Sequence, residues 1–199
     1  MAEPVNKILL YYAHPTAHKS KLNKALIGAA ENTTGVTIRN LYDLYPDYYI
    51  DIVLEQKLLL EHDIIIWQHP FYWYSAPSIL KEWIDLVLEH GFAYGKGGIA
   101  LQGKKVMTTI TTGAREEAYS KKGRNRYTIK QLLAPFDQTV YLCNMTYLPP
   151  FVVHGSLLIE QESLDKAVAT YKKAIISLRD DLFDEEEYSK IKYMNELVE

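Results

Sequence analysis

Apolar residues along the chain change period five times in the same way: a short continuous or alternating run, a polar break, then a stretch with apolar side chains every three or four positions. KILLYYAH (residues 7–14) is β-rich and ends at a His-Pro turn. SKLNKALIGAAEN (residues 20–32) then places Leu22, Ala25, Leu26 and Ala29 at helical spacing behind a Ser N-cap. GVTIRNLY predicts a second strand with alternating Val36, Ile38 and Leu41, and IDIVLEQKLLLEH (residues 50–62) a helix with apolar Ile52, Val53, Leu59 and Leu60 around exposed Glu55, Gln56 and Lys57. DIIIWQHP (residues 63–70) is a continuous apolar strand, the kind expected when helices cover both faces. APSILKEWIDLVLEHG is a helix that opens with Pro77 in its first turn and closes at Gly91. The second half repeats the alternation: KKVMTTITTGA as strand and loop, YTIKQLLAPFDQTVYLCN as a helix interrupted by Pro135, MTYLPPFVVHG as a fifth strand, and SLDKAVATYKKAIISLRDDL as a final helix with Ser163 and Asp165 at its start. Strands alternating with helices require crossovers, which make the sheet mostly parallel and sandwich it between helices, an α/β architecture. With no internal repeat and no Pro- or Gly-rich linker, residues 1–180 are expected to form one domain, and residues 181–199 a C-terminal tail, acidic and then mixed, that forms a short helix or frays.

Composition narrows the function classes. At 199 residues, with 48% hydrophobic and 24% charged, the chain suits one globular domain with a sizeable core. A formal net charge of −3, with Lys and Arg clustered only in KKGRNR (residues 121–126), argues against nucleic-acid binding. A single cysteine, Cys143, excludes an internal disulfide framework and, lying in an apolar stretch, is expected in the core. The apolar run in MAEPVNKILLYYAHP is too short and too soon interrupted for a signal peptide or a membrane span. The expected location is therefore cytoplasmic, with any position at the inner face of the cell membrane peripheral and held through a partner. No metal site is expected.

In open parallel sheets, ligands bind beyond the carboxyl ends of the strands, where loops converge. Three loops qualify: AHPTAHKSKLN, HPFYWYSAP and TTGAREEAYS. The first has neither G-x-G-x-x-G nor a Walker pattern. It carries His14, His18, Ser20 and Asn23 into a helix N-terminus, where free N–H groups and the helix dipole favour an anion, and suits one phosphate better than a pyrophosphate. The competing reading makes Ser20 only an N-cap and His14 only a turn residue. The second loop packs Phe71, Tyr72, Trp73 and Tyr74 where Gly, Asn and Ser are usual. An aromatic wall that also offers backbone amides is what a flat heteroaromatic ring needs, and Gly113 in the third loop permits close backbone approach. A phosphate pocket with two ring-gripping loops describes a mononucleotide such as FMN; packing or a dimer face is the competing reading of the aromatics.

These residues, taken in order, resemble the flavodoxin-like NAD(P)H:quinone oxidoreductases, and within them most closely the bacterial ancillary proteins of glutathione-gated potassium efflux systems. The resemblance runs from about residue 7 to 179 and is carried by YAHP, HKSKLN, NLYDLYPDYYIDIVLEQ, WQHPFYWYSAPSILKEWID, HGFAYGKGG, TTG and YLPPFVVHG. It implies a flavodoxin-like fold, a five-stranded parallel sheet of order 2-1-3-4-5, and a homodimer with a flavin at each interface site. By position, His14, Ser20, Lys21, Leu22 and Asn23 would hold the flavin phosphate and its neighbourhood. Phe71, Tyr72, Trp73 and Tyr74 would lie along the isoalloxazine ring, and Thr111, Thr112, Gly113 and Ala114 along its other edge. The flavin would be FMN, with FAD less favoured because the quinone reductases that hold FAD are longer. The implied reaction is two-electron, ping-pong hydride transfer from NAD(P)H through flavin N5 to a quinone or similar electrophile. Gly113 and Ala114 amides and the Tyr119 hydroxyl are the donors for charge near N1 and the C2 carbonyl, so Tyr119 and Gly113 are the expected catalytic residues.

Two positions depart from the family. Ala114 stands where a second Gly is common. No His follows Tyr119 before Pro135, although the well-known quinone reductases pair their Tyr with one; Arg124, Asn125 and Arg126 stand there instead. An Arg stabilises an anion but does not exchange protons. A second function class is a regulatory subunit of a membrane potassium efflux antiporter that uses the flavin or nucleotide site as a sensor. A third, a flavodoxin-like electron carrier, is disfavoured because FYWY and GFAYGKGG suit enclosure of small ring substrates.

Overall fold

The computed structural model describes residues 5–198. In chain order its elements are β1 (Ile8–Tyr12), α1 (Lys21–Glu31), β2 (Val36–Asn40), α2 (Leu41–Leu44), α3 (Ile52–Glu61), β3 (Ile64–Pro70), α4 (Ser78–Val87), β4 (Lys105–Thr111), α5 (Ile129–Leu132), α6 (Ala134–Leu142), β5 (Thr146–Tyr147), β6 (Phe151–Val153), α7 (Gln161–Arg179), α8 (Glu185–Ser189) and α9 (Asn195–Val198). The sheet runs β2-β1-β3-β4-β5 with every pairing parallel, the order expected from the resemblance. Side chains of a strand alternate between faces. Leu9, Tyr11, Ile65 and Trp67 accordingly enter one core with α3, α4 and α6, while Ile8, Leu10, Ile64 and Ile66 enter a second with α1 and α7. Both faces being covered explains why ILLYY and IIIWQHP are apolar without interruption. Cys143 is buried in the first core, and burial pushes its thiol up to about 11.

Several local expectations are corrected. The fifth strand is broken in two: β5 pairs with the start of β4 and β6 with its end, because Pro149 and Pro150 carry no N–H for the ladder. Leu41 lies outside the second strand and opens α2. The helix expected over residues 127–144 is α5 and α6, parted at Leu133 with Pro135 in the first turn of α6. The last long helix starts at Gln161, ahead of Ser163.

The largest correction concerns α3. Its buried face is Glu55 and Leu59, one helical turn apart, whereas Val53 and Leu60 are exposed. Glu55 is fully buried because its carboxylate is the common acceptor for Arg39, Tyr45 and Trp83. A carboxylate enters a core only when its hydrogen bonds and a counter-charge come with it. The described part of residues 181–199 packs on the sheet: Met194 and Val198 join the second core, and Asn195 brackets the open edge of β6, its Oδ1 accepting from Val152 N (3.0 Å) and its Nδ2 donating to Val152 O (3.1 Å). A side chain thus covers an edge that would otherwise present free backbone groups.

His69, at the end of β3, is wholly buried, stacks on Phe136 with centroids 5.8 Å apart, and uses Nδ1 on Pro70 O (3.0 Å). Burial pushes its pKa down from 6.5 to about 4. The unfolded chain therefore binds the proton that the fold excludes: stability is complete above pH 6.5 and is lost as pH falls towards 4. The expected loss is about 3 kcal/mol, and His69→Phe should remove it. Urea midpoints at neutral and acid pH test this; parallel losses in the two proteins would reject the assignment.

Candidate functional site

The loops after β1, β3 and β4 meet at the carboxyl edge of the sheet, as expected for an open parallel sheet. After β1 the chain makes a short 3-10 turn (Ala17–Lys19) and enters α1 with Ser20 as N-cap. Ser20 Oγ accepts from Asn23 N (3.3 Å) and Asn23 Nδ2 (3.0 Å), which leaves its own proton free to donate. The N–H groups of Lys21 and Leu22, in the first turn, meet no acceptor among the described residues. His14 is buried, and its Nδ1 accepts from Thr16 N (3.1 Å), so its proton sits on Nε2. Burial lowers the His14 pKa, with His18 adding to the effect, and favours this neutral form. Ser20, His14 and the two amides are thus the unused donors around this helix start, a candidate cradle for an anion. Leu22 supplies only its amide, since its side chain is core, and the Lys21 ammonium is turned to Gln161 Oε1 (2.6 Å).

Asn23 ties this cradle to the third loop. Its Nδ2 also donates to Thr111 Oγ1 (3.0 Å), and its Oδ1 is buried without a partner. The aromatic loop is anchored on the same strand end by Phe71 N donating to Thr111 O (2.9 Å). Phe71 is buried with its ring 6.2 Å from that of Tyr119, and Tyr72 meets the His14 ring edge-on at 6.0 Å. Trp73 is 93% exposed. Trp73 and Tyr74 both have left-handed backbone, φ 50° and 63°. Such a conformation costs roughly 1–3 kcal/mol per non-Gly residue and persists where surrounding structure imposes it. Neither amide finds an acceptor among the described residues, so the strained turn presents two free donors beside an exposed indole.

In the third loop Thr112 N donates to Val153 O (2.9 Å), Ser156 N to Thr112 O (2.9 Å) and Gly155 N to Ala114 O (3.0 Å). Residues 153–156 thereby clamp the loop, and the amides of Gly113 and Ala114 are left without acceptors among the described residues. A Cβ on Gly113 would stand 3.1 Å from Leu157, so glycine keeps that approach open. Tyr119, 7% exposed, follows a 3-10 turn (Glu116–Ala118). Burial raises its phenol pKa against the opposing pull of Thr112 and Asn125, which keeps the hydroxyl a donor at neutral pH. Tyr74 OH reaches Asn125 Oδ1 (3.3 Å), while Arg124 and Arg126 of the same loop are exposed.

Each sequence-predicted site residue thus lies in one of these three loops or beside them, with the Lys21 ammonium and the Leu22 side chain turned elsewhere. Sequence reasoning missed His154. It sits at the end of β6, its Nδ1 3.0 Å from Thr112 Oγ1 and its ring 5.6 Å from that of Tyr119. The available signal was its place just after a strand of a parallel sheet; 35 positions of chain hide its nearness to Tyr119.

A family model described as flavodoxin-like fold matches residues 6–175. The glutathione-regulated potassium-efflux system ancillary protein KefG of Pectobacterium carotovorum is 45% identical over 177 residues, 89% of this chain and 96% of its own. Among solved structures, the general stress protein 14 of Treponema denticola in complex with FMN is 34% identical, with TM-score 0.80 over 89% of this chain and 99% of that one. An NADPH-quinone reductase from P. pentosaceus is 33% identical, with TM-score 0.77 over 84% and 96%. A structure named as a thermophilic tryptophan halogenase from Streptomycin violaceusniger is 42% identical, with TM-score 0.81 over 83% and 96%. The names differ while the fold recurs, so function has to be argued from the site.

Proposed function

The chain belongs to the flavodoxin-like fold family, and from that premise we propose that it is an FMN-dependent NAD(P)H:quinone oxidoreductase. The observation that carries this reading is the convergence of unused donors. Lys21 and Leu22 amides with the Ser20 hydroxyl and His14 Nε2–H suit one phosphate, and Trp73, Tyr74, Gly113 and Ala114 amides border the space between the second and third loops. Asn23 Oδ1, buried without a partner, only accepts, and would suit a hydroxyl of the same ligand rather than its phosphate. Single-phosphate geometry favours FMN over FAD, and the FMN complex and NADPH-quinone reductase among the relatives are of the same chemistry. When bound, the flavin supplies two-electron hydride chemistry. The chain's own part is electrostatic and steric. Gly113 and Ala114 amides with the protonated Tyr119 hydroxyl are fixed donors for a developing anion. Phe71 to Tyr74 give a flat wall for the ring and for a nicotinamide or quinone beside it. The exposed Trp73 and Tyr74 at the rim support a homodimer in which a second copy borders the site.

The KefG relationship favours a second role: docking on a potassium efflux antiporter as its ancillary subunit. In that role the chain would sit peripherally at the inner face of the cell membrane, held by the antiporter; no helix among the described residues is long and apolar enough to cross a membrane.

The test is an anaerobic absorbance titration of the FMN-loaded protein with NADPH or NADH, then with a simple quinone. Bleaching by the nucleotide and recovery by the quinone are expected; a flavin that no nucleotide bleaches would overturn the enzyme reading and leave the sensor role. Trp73→Ala is expected to weaken FMN about 10-fold, as one lost stacking contact. An unchanged dissociation constant by flavin-fluorescence quenching would remove Trp73 from the platform.

A further inference from the structure

We propose that His154 is a positioning residue for the flavin-edge loop: protonated on Nδ1, it donates to Thr112 Oγ1 and so sets the loop carrying Gly113 and Ala114, while its ring seats Tyr119. This rests on the FMN reading above and extends it to a residue outside the three loops. The proton count fixes the tautomer. Thr112 Oγ1 has one proton, and its 2.8 Å contact with Ala114 O, a carbonyl that only accepts, uses it. The 3.0 Å contact with His154 Nδ1 must then be donated by the imidazole. The ring consequently carries a lone pair on Nε2, and that atom is buried without a partner.

This bond completes the clamp. Thr112 is held at its N–H by Val153, at its carbonyl by Ser156 and at its hydroxyl by His154. The hydroxyl in turn holds Ala114 O, the acceptor of Gly155 N. Without the imidazole donor, the hydroxyl can turn from Ala114 and the loop loses its internal closure. The His154 ring lies between Tyr119 (5.6 Å) and Tyr193 (5.8 Å). The charged groups facing it are Glu116 and Glu117, on the turn before Tyr119, and Lys192, whose ammonium pairs with Glu116 (2.5 Å) and lies over the Tyr193 ring at 4.4 Å. Burial, with Lys192, outweighs the acidic pair and lowers the His154 pKa, in keeping with a neutral ring at physiological pH.

Two measurements test this. Nitrogen-15 NMR of the histidine rings, with His154→Gln to assign the signal, should show the proton on Nδ1; a proton on Nε2 overturns the proposal, whether or not the protein binds FMN. FMN affinity by fluorescence quenching should then separate three variants. His154→Asn, whose amide nitrogen replaces Nδ1, is expected within about 3-fold of the native protein, and His154→Gln and His154→Leu about 10-fold weaker. Equal affinity in all variants overturns the positioning role. If His154→Leu does not fold, the Asn and Gln pair carries the comparison at matched melting temperature. Failure of the native protein to bind FMN would instead remove the function proposed above, and the tautomer would still be decided by NMR.

Discussion

Glu55→Ala is expected to destabilise the protein by about 3–5 kcal/mol, the cost of breaking a buried ion pair by removing one partner. Glu55 Oε1 accepts from Arg39 Nη2 (2.5 Å) and Nε (3.1 Å) and from Tyr45 OH (2.6 Å), and Oε2 accepts from Trp83 Nε1 (3.3 Å). One carboxylate thereby joins β2, the turn after α2, α3 and α4. Its loss strands a guanidinium whose side chain is 15% exposed, together with the fully buried indole N–H of Trp83. The hydrogen-bonding of Glu55→Gln spares part of this, so a loss of roughly half that size is expected. Urea denaturation reads the effect as a lower midpoint at unchanged slope. A midpoint equal to that of the native protein would mean that the pair breaks even against its own desolvation.

Asn23→Leu is expected to weaken FMN binding about 100-fold and to lower the urea midpoint, since two internal hydrogen bonds worth about 1 kcal/mol each are lost with it. Leu keeps the branched outline of Asn at this 2%-exposed position while offering no donor. What is lost is the bridge from Ser20 Oγ to Thr111 Oγ1, each 3.0 Å from Asn23 Nδ2, which holds the start of α1, the proposed phosphate position, against the end of β4, where the proposed flavin-edge loop begins. The misalignment of the donors that this bridge sets gives the expected size, a displacement of about 1 Å being enough for a factor of that order. Fluorescence-quench titration measures it. An affinity within about 3-fold of native would show that the two loops hold their places independently, and would take Asn23 out of the site.

Both residues show where sequence reasoning reaches and where it stops. Asn23 was legible because a polar residue three positions after a Ser N-cap lies on the same first turn, so local geometry alone brings it to the helix start. Glu55 was misread as exposed because charge in a helical pattern ordinarily faces water; its partners Arg39, Tyr45 and Trp83 come from separate elements, and no local period announces them. The break at Pro149 and Pro150 was visible as residues, yet its consequence, one strand becoming two along β4, depends on where the neighbouring strand ends.

The sequence by itself determined the alternation of strands and helices, the coverage of both sheet faces, the three loops and the helix N-terminus among them, because each is written in local period, turn chemistry or a run of neighbouring residues. The tertiary structure alone decided that Glu55 is a core acceptor, that Lys21 turns to Gln161, that Asn195 guards the edge of β6, and that His154 stands against Thr112 and Tyr119. Those four are contacts between residues distant in the chain. Hydrogen-bond partners and burial belong to pairs brought together by the sheet, and a linear pattern records only one member of each.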